Sequence, residues 1–253
     1  MGAIVSKVAI PGYRSNTTEN DLRQLGLKTM WLDEASQRDS MPGRGVFVVQ
    51  YESPMPGKQN VIVFTHGNME DVSSVVQFCH TFACKIPCVV IAWEYPRYGL
   101  DKREDISFED RITIVAKYIR IHYAALDIIP YGRSLGSTFA IMMAIELKQH
   151  ARMLILEAPF ATILSTVNVN MAKLFKWADI CDNLTLLRQL SIPLLVLHGT
   201  KDDIVPIGNS KLLLKEYTGH KCLLEISDAS HNSVLGIGNN RLLEMYNVYC
   251  TML

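Results

Sequence analysis

The sequence predicts an α/β protein with a mostly parallel central sheet, and three observations support this fold class. From residue 61 onward, short apolar runs rich in Val, Ile and Leu alternate with longer segments of helical periodicity. The runs are continuous in apolar character, which indicates strands buried on both faces, as in a parallel sheet. The chain of 253 residues is also long enough for one large domain whose strands are joined by right-handed helical crossovers.

The individual elements follow from the positions of these runs. Six core strands are predicted, at residues 61–64, 88–93, 128–131, 153–157, 194–198 and 222–226. Helices are predicted within residues 71–85 and 108–123, and near residues 135–148, 209–217 and 240–249. Two earlier runs, at 28–32 and 46–51, flank a turn that contains Pro and Gly, and they would add an antiparallel edge. The expected sheet therefore has about eight strands, with helices on both faces.

The long connection between the strands at 153–157 and 194–198 interrupts this alternation. A connection of such length is usually functional or partly structured. Its apolar residues predict a short helical cover, and they are Phe160, Leu174, Phe175, Trp177 and Ile180. We therefore predict an N-terminal segment at residues 1–24 and a single domain at 25–253, with a cover insertion at about 160–192.

Composition and charge exclude several classes of function. The 25 basic and 25 acidic side chains balance, so the chain offers no basic surface for nucleic acid. No apolar run approaches the ~20 residues that a membrane-spanning helix needs, and the N-terminus lacks the pattern of a secretory signal. The Asn-x-Thr sequences at Asn16 and Asn183 are therefore interpreted as coincidental. We expect a cytoplasmic protein.

The cysteines show neither a Cys-x-x-Cys pair nor a Cys/His spacing typical of zinc sites. They are Cys79, Cys84, Cys88, Cys181, Cys222 and Cys250. We interpret them as reduced thiols, with Cys84 and Cys88 as small buried hydrophobic residues at a helix-to-strand connection. No metal site and no cofactor are expected.

Polar residues follow the predicted strands at the points where the strands end. In an open parallel sheet, ligands bind beyond the carboxyl ends of the strands. The polar segments are 66–68, 132–136, Glu157, 198–203 and 227–232. The Gly-x-Ser-x-Gly pattern at 132–136 alone is expected by chance in roughly one chain of this length in ten. The pattern becomes specific because a serine, then acids and then a histidine occur in this order on strand-end loops.

These residue types are suited to nucleophilic catalysis by a serine. The hydroxyl of Ser134 is a poor nucleophile unless a neighbouring base takes its proton, and His231 is the candidate base. An acid would hold the correct imidazole tautomer and stabilise the imidazolium. Asp202 fits that role best by its Gly-Thr-x-Asp spacing, and Asp203 and Glu157 are the alternatives.

The segment around Ser134 has the pattern of a sharp strand-to-helix turn. Gly132 and Gly136 would keep side chains out of the place where strand and helix crowd together. The start of the helix would point backbone N–H groups at developing negative charge. The N–H of Leu135 is one candidate oxyanion donor, and the N–H of Asn68 is the other.

The remaining polar residues have structural interpretations. His66 and His198 each precede a Gly at a strand end, where hydrogen bonding to the backbone is the default role. Asp228 is interpreted as a turn residue. Residues 95–99 predict an aromatic turn that packs below the site, and Arg133 has no explanation at this level.

Taken in order, these segments resemble the α/β-hydrolase superfamily. The residues that carry the resemblance are Thr65-His-Gly-Asn, Glu94-Tyr-Pro-Arg-Tyr-Gly, Tyr131-Gly-Arg-Ser-Leu-Gly-Ser, His198-Gly-Thr-Lys-Asp-Asp-Ile-Val-Pro and Ser230-His-Asn. More narrowly, they are similar to the α/β-hydrolase domain-containing protein 17 and 13 group, from about residue 46 to the C-terminus. The resemblance implies the α/β-hydrolase fold and a serine hydrolase with Ser134 as nucleophile, Asp202 as acid and His231 as base.

For the protein-17 branch, the resemblance further implies cleavage of palmitoyl thioesters on membrane-attached proteins. The first residues of this chain do not show the cysteine-rich segment that the branch acylates, which leaves the protein substrate open. The expected partner is an acylated protein or a lipid substrate. Two alternatives stay open: a serine peptidase of the aminopeptidase-like branch, and a hydrolase-fold scaffold that binds partners without catalysis.

The first seven residues match the pattern for N-myristoylation, with Gly2 exposed after removal of Met1 and Ser6 at the required position. One myristoyl chain gives only marginal membrane binding, with an association constant of about 10⁴ M⁻¹. We therefore expect reversible, peripheral contact with membranes through Gly2.

Overall fold

The structure is a computed structural model that describes residues 12–13, 15–33, 45–55, 60–101, 105–162, 181–234 and 248. Its strands are β1 (Lys28–Leu32), β2 (Val46–Glu52), β3 (Asn60–Thr65), β4 (Cys88–Trp93), β5 (Asp127–Arg133), β6 (Leu154–Glu157), β7 (Leu194–Gly199) and β8 (Lys221–Ile226). Its α-helices are α1 (Glu19–Gln24), α2 (Val76–Lys85), α3 (Phe108–Tyr123), α4 (Gly136–Leu147), α5 (Asn183–Leu187) and α6 (Gly208–Glu216).

The strands form one sheet in the order β1-β2-β4-β3-β5-β6-β7-β8. β1 pairs with β2, and β2 with β4, in the antiparallel sense. The other neighbouring strands, from β4 across to β8, are parallel. The prediction of a mostly parallel sheet of about eight strands with an antiparallel edge is confirmed.

Side chains of the central strands alternate between two cores, one on each face of the sheet. In β3, Val61 and Val63 pack into the first core, and Ile62 and Phe64 pack into the second. Buried residues of α3, α4, α5 and α6 belong to the first core, and those of α1 and α2 to the second. The central strands read as unbroken apolar runs because both of their faces are covered.

Helix α3 illustrates how the sequence specifies these layers. The side chain of Ser107 accepts a hydrogen bond from the N–H of Asp110 and caps the first turn. Ile112, Val115 and Ile119 follow at spacings of three and four residues, and all are buried against the sheet. A cap followed by this apolar stripe explains why the predicted and observed limits of α3 agree.

Two short helices complete the fold, and of these α1 was not predicted. Helix α1 begins with a capping box, in which Thr18 and Asp21 each bond the backbone of the other, and this Thr-x-x-Asp signal is present in the sequence. Helix α5 lies within the predicted cover insertion and begins at the Asp182 cap. The predicted helix near 240–249 lies outside the described residues apart from Val248, which packs against the second core.

Residues before β1 pack onto the sheet and its loops. The N–H of Ser15 donates to Asp71 Oδ2 at 3.0 Å, and the Ser15 hydroxyl lies 2.6 Å from that of Ser73. The carbonyl of Tyr13 accepts the N–H of Gly99 at 2.8 Å, and Leu22 is fully buried. The domain division at residues 24 and 25 stays a prediction.

The two ends of the predicted insertion close on each other. Thr162 forms an isolated antiparallel bridge with Asp182. The buried side chain of Asn183 donates to the carbonyl of Phe160 at 2.8 Å and accepts from the Thr138 hydroxyl at 2.9 Å. The insertion is therefore pinned at its base to α4. Residues 163–180, including the predicted cover residues Leu174, Phe175, Trp177 and Ile180, lie outside the described part of the chain.

Five cysteines fall in the described residues, and all are free thiols. Burial raises the pKa of Cys79, Cys88 and Cys181 to about 12, so these thiols stay protonated and unreactive. The expectation that Cys84 is buried is wrong, because its side chain is exposed on the last turn of α2.

Replacing Asn183 with Ala should lower the free energy of unfolding by about 2 kcal/mol. The change removes two buried hydrogen bonds and leaves the Phe160 carbonyl and the Thr138 hydroxyl without that partner. Urea unfolding followed by circular dichroism measures this loss. Asn16→Ala is the matched control, since Asn16 is exposed and shares the Asn-x-Thr sequence, and it should change stability by less than ~0.5 kcal/mol. Equal effects of the two changes would contradict the pinning role.

Candidate active site

The candidate site lies where the strand order reverses. The chain passes from β3 to β4 on one side of β3, and β5 then pairs with β3 on the other side. Such a reversal opens a crevice at the carboxyl ends of the two neighbouring strands. The loop that follows β3 carries Asn68, and the turn that follows β5 carries Ser134, so both border this crevice.

Ser134 occupies a strained turn between β5 and α4. Its φ angle is 51°, in the left-handed region that a non-glycine residue seldom adopts. A Cβ atom on Gly136 would lie 2.1 Å from the carbonyl oxygen of Thr65, and one on Gly132 would lie 2.5 Å from that of Gly136. Both positions therefore require glycine. The N–H of Ser134 donates to the carbonyl of Glu157 at 2.8 Å, which fixes the turn against β6.

The structure brings Ser134, His231 and Asp202 together. His231 Nε2 lies 2.9 Å from Ser134 Oγ, and His231 Nδ1 lies 2.7 Å from Asp202 Oδ2. Since an ionised carboxylate only accepts hydrogen bonds, Nδ1 carries the proton in neutral His231 and Nε2 is left to accept one from the serine hydroxyl. Residues far apart in sequence thus form one continuous chain of hydrogen bonds.

Asp202 is held ionised by several donors. Its Oδ1 accepts the N–H groups of Ile204 and Val205 at 3.0 and 2.8 Å. Burial alone would raise the pKa of Asp202, but hydrogen bonds from His198, His231 and the Val205 N–H outweigh burial and hold the pKa well below its usual value. The carboxylate is therefore charged throughout the neutral range.

His198 contacts Asp202 in addition to the backbone hydrogen bonding that the sequence indicated. Its Nδ1 lies 2.6 Å from Ser210 Oγ, and its Nε2 lies 2.7 Å from the Val205 carbonyl, as expected for a backbone-bonded histidine. The same Nε2 is also 3.3 Å from Asp202 Oδ2. Both neighbours of Nε2 are acceptors, so Nε2 carries a proton and faces the carboxylate.

The alternative acids have other surroundings. Asp203 is exposed to solvent. The side chain of Glu157 accepts the Tyr131 hydroxyl at 2.5 Å and lies 3.3 Å from Arg133 Nε. Asp228 has a φ of 61° and pairs with Lys201 at 2.7 Å, which fits the turn role expected for it. Among all the candidate acids, Asp202 is the one in contact with His231.

The loop after β3 and the turn before α4 carry the two candidate oxyanion donors. Within the described part of the chain, the backbone N–H groups of Asn68 and Leu135 have no hydrogen-bond acceptor in the protein. The side chain of Asn68 accepts the Tyr98 hydroxyl at 2.9 Å, which holds this loop in place. The Thr65 hydroxyl lies 2.7 Å from the Gly136 carbonyl and ties the end of β3 to the start of α4.

His66 and Tyr95 form the floor below the Asn68 loop. Burial lowers the pKa of His66 to about 4, so its imidazole is neutral. Tyr95 stacks on this ring at 3.9 Å between centroids and donates its hydroxyl to the His66 carbonyl at 2.6 Å. The aromatic turn at 95–99 therefore packs below the site, as expected.

Sequence reasoning missed a partly buried ion-pair network at this edge. Arg133 NH1 lies 2.9 Å from Glu70 Oε1, and Glu70 Oε2 accepts the N–H of Gly67 at 2.7 Å. The available signal was the long charged side chain next to Ser134, but its partners lie more than 20 residues away in sequence, Glu70 in the loop after β3 and Glu157 at the end of β6.

Backbone strain is concentrated at the same edge of the sheet. Five described non-glycine residues with positive φ follow β3, β4, β5, β6 and β8, and they are Met69, Arg97, Ser134, Ala158 and Asp228. Strain of this kind persists only where surrounding contacts enforce it, and it gathers at functional sites. The carboxyl edge of the sheet therefore carries most of this backbone strain, and the sixth such residue among those described, Lys148, follows α4.

The described residues contain neither a metal-binding cluster nor a membrane-spanning helix. No group of three or more His, Cys, Asp or Glu side chains in this part of the chain could hold a metal ion. Of the helices described, none has the length and apolar character to cross a membrane. Gly2, the candidate lipidation site, lies outside the described residues, and its myristoylation stays a prediction.

The sheet order, the antiparallel edge and the strand-end site define the α/β-hydrolase fold. No protein-family model matches the chain. Among curated proteins, the chain is 22% identical over 183 residues to alpha/beta hydrolase domain-containing protein 17B of Homo sapiens. The match covers 71% of this chain and 62% of that relative, so it spans less than two thirds of the relative's length.

Solved structures agree on the fold. Ferulic-acid-bound Est1E from Butyrivibrio proteoclasticus superimposes with a TM-score of 0.67 at 16% identity, over 83% of this chain and 97% of that one. A puromycin-hydrolyzing peptidase of Mycobacterium tuberculosis gives a TM-score of 0.62 at 17% identity, over 88% of this chain and 37% of that one. These similarities confirm the α/β-hydrolase fold that the sequence motifs implied.

Replacing Asp202 with Asn should remove a pH-dependent part of the stability. Because the folded-state pKa of Asp202 lies below its unfolded value of about 3.9, ionisation stabilises the fold above that pH, and the contribution is lost as the pH falls. The difference in unfolding free energy between wild type and Asp202→Asn should shrink by about 1 kcal/mol from pH 6 to pH 3. Urea unfolding at each pH measures it.

Asp203→Asn is the control for this experiment, since Asp203 is the exposed neighbour. Its stability should run parallel to that of wild type over the same pH range. An Asp202→Asn profile that also runs parallel to wild type would show that the carboxylate is not stabilised in the folded chain.

Proposed function

We propose that this protein is a serine hydrolase that cleaves acyl esters or thioesters through an acyl-enzyme on Ser134. The observation that carries the proposal is the chain of hydrogen bonds from Ser134 Oγ through His231 to Asp202, at 2.9 and 2.7 Å, at the carboxyl edge of the sheet. The relatives and structural neighbours named as hydrolases and esterases support the same class of reaction.

In the first half-reaction, Ser134 Oγ attacks the acyl carbonyl carbon while His231 Nε2 takes the hydroxyl proton. The carbonyl electron pair moves to its oxygen, and the N–H groups of Asn68 and Leu135 donate to the resulting oxyanion. Asp202 stabilises the imidazolium, and its two backbone hydrogen bonds keep it in position. Collapse breaks the bond to the leaving oxygen or sulfur, which receives the proton from His231.

In the second half-reaction, water attacks the acyl-enzyme. His231 takes a proton from the water, the same two amides bind the second oxyanion, and Ser134 leaves with the proton returned by His231. The products are a carboxylic acid and the free enzyme. Neither half-reaction uses a metal ion or a cofactor.

We further propose that the acyl group is a fatty chain, carried by a protein thioester or a lipid, as the resemblance to the protein-17 branch implies. Two large apolar side chains on the site loops support an apolar substrate. Met69 follows Asn68 and is 59% exposed, and Ile204 follows the Asp202 loop and is 56% exposed. Contact with an acyl chain would bury apolar surface at these positions.

A peptidase is the second candidate. The similarity to the puromycin-hydrolyzing peptidase favours it, since that protein shares the fold. A non-catalytic scaffold is the third, and the geometry around Ser134 gives it no support.

Labelling with a fluorophosphonate probe tests the proposal directly. Wild-type protein should be labelled and Ser134→Ala should not, because the probe reacts with an activated serine. Turnover of p-nitrophenyl butyrate should fall by on the order of 10³–10⁴-fold in Asp202→Asn, as expected when the acid sets the tautomer. Asp203→Asn should stay within about twofold of wild type.

Each outcome separates the candidates. Absence of wild-type labelling would favour the scaffold. Labelling with faster turnover of an aminoacyl amide than of a palmitoyl thioester would favour the peptidase. A normal rate in Asp202→Asn would move the acid role to another residue.

Replacing Ile204 with Ser should weaken binding of long acyl chains. The KM for a p-nitrophenyl palmitate substrate should rise by roughly three- to tenfold, because part of an apolar contact is lost, while the KM for the acetate ester should not change. Ile121→Ser is the matched control, since Ile121 is 59% exposed on α3, and it should affect neither substrate. An equal change for both chain lengths would exclude an acyl contact at Ile204.

A further inference from the structure

We propose that Arg133 is a positioning residue that sets the distance between the two halves of the oxyanion site. Its guanidinium joins the loop that carries Asn68 to the turn that carries Ser134 and Leu135. This inference rests on the proposed function and deepens it, since it assigns a role to a residue that does not touch the reacting atoms.

The first link runs from Arg133 to the loop after β3. Arg133 NH1 donates to Glu70 Oε1 at 2.9 Å, and the other carboxylate oxygen accepts the N–H of Gly67 at 2.7 Å. A Cβ atom on Gly67 would lie only 3.0 Å from that oxygen, so glycine permits the approach. Because Gly67 directly precedes Asn68, the carboxylate fixes the backbone that presents the Asn68 amide.

The second link runs from Arg133 to the end of β6. Arg133 Nε lies 3.3 Å from Glu157 Oε1, and Glu157 Oε2 accepts the Tyr131 hydroxyl at 2.5 Å. The backbone carbonyl of Glu157 accepts the N–H of Ser134 itself, at 2.8 Å. The residue that contacts the guanidinium therefore also fixes the backbone of the nucleophile.

Aromatic rings hold the guanidinium between these two carboxylates. Its central carbon lies 5.0 Å from the ring centroid of Phe78 and 5.7 Å from that of Phe64, within the range of cation–π contacts. The Arg133 side chain is 19% exposed, and that of Glu157 is 2% exposed. Burial would lower the pKa of Arg133, but Glu157 and Glu70 raise it, so the cation is retained.

Removal of the cation would leave Glu70 and Glu157 without the positive charge that both of them contact. The loop that carries Asn68 would then lose its link to the ends of β5 and β6 and would shift, because this loop lies outside the sheet and β6 lies inside it. Other contacts, such as the Tyr98 hydroxyl on Asn68, would keep the loop attached. The variant should therefore lose transition-state stabilisation, for which both amides must donate to one oxygen atom, more than it loses ground-state binding.

Steady-state kinetics of Arg133→Met, Arg133→Lys and Glu70→Gln test the inference. With p-nitrophenyl butyrate, kcat for Arg133→Met should fall by roughly 10–100-fold while KM stays within about threefold. Arg133→Lys keeps the positive charge but cannot contact both Glu70 and Glu157, so it should recover only part of the rate. The double variant Glu70→Gln with Arg133→Met should be no slower than Arg133→Met alone, because the two residues act through one link.

A second readout separates positioning from general destabilisation. An aliphatic trifluoromethyl ketone forms a covalent adduct in which Ser134 Oγ bonds the carbonyl carbon, the proton passes to His231 and the carbonyl oxygen becomes an oxyanion. The inhibition constant for Arg133→Met should rise by the same factor by which kcat/KM falls. The control is Arg120→Met, which breaks a half-exposed ion pair with Glu146 elsewhere and should change neither quantity.

The outcomes are distinct. A normal kcat in Arg133→Met, or a lower kcat with unchanged inhibition by the ketone, would overturn the positioning role. Additive losses in the double variant would also overturn it. Absence of fluorophosphonate labelling in the wild type would overturn the proposed function itself, whatever the variants do.

Discussion

The close approach of α4 to the end of β3 is the constraint on which the rest of the site depends. Only glycine at position 136 allows the helix to start against the Thr65 carbonyl, where a Cβ atom would lie 2.1 Å away. Two residues before this glycine, Ser134 adopts a left-handed conformation in the sharp turn that leads into the helix. The close approach also places the start of the helix beside the loop after β3. This packing contact thus brings the turn that carries Ser134 and Leu135 next to the loop that carries Asn68.

The parts of this arrangement that the sequence predicted are those with local signals. Strand ends, the glycines around Ser134, and the order of serine, acid and histidine can be located along the chain because each belongs to one strand-end loop. The link from Arg133 to Glu70 and Glu157 could not be predicted, since it depends on how the loop after β3 meets the ends of β5 and β6 in space. The contact of His198 with Asp202 and the exposure of Cys84 likewise depend on side-chain orientation within an element whose position was predicted well.

Ionisable groups near the site are of two kinds, those in ion pairs and those that burial makes neutral. Some of them form ion pairs, as Arg111 does with Asp101 and Arg133 does with Glu70 and Glu157. Others are neutral because burial outweighs the charges around them. Burial raises the pKa of Glu94 well above its usual value, and His66, whose Nε2 lies 4.0 Å from the Glu94 carboxylate, is neutral because burial lowers its pKa to about 4. The floor below Asn68 is therefore uncharged, and the charged groups lie beside the site.

This separation bears on the chemistry that the edge can perform. A charged group below Asn68 would compete with an oxyanion for the amide dipoles or repel it, whereas a neutral floor leaves the two N–H groups as the dominant local donors. Asp202, in turn, is ionised across the neutral range because its donors are fixed backbone amides and two imidazoles. Its charge does not vary as the proposed reaction proceeds, so protons move only between His231 and Ser134, the leaving group or the attacking water. The network thus confines the change in protonation to the one imidazole that contacts the serine.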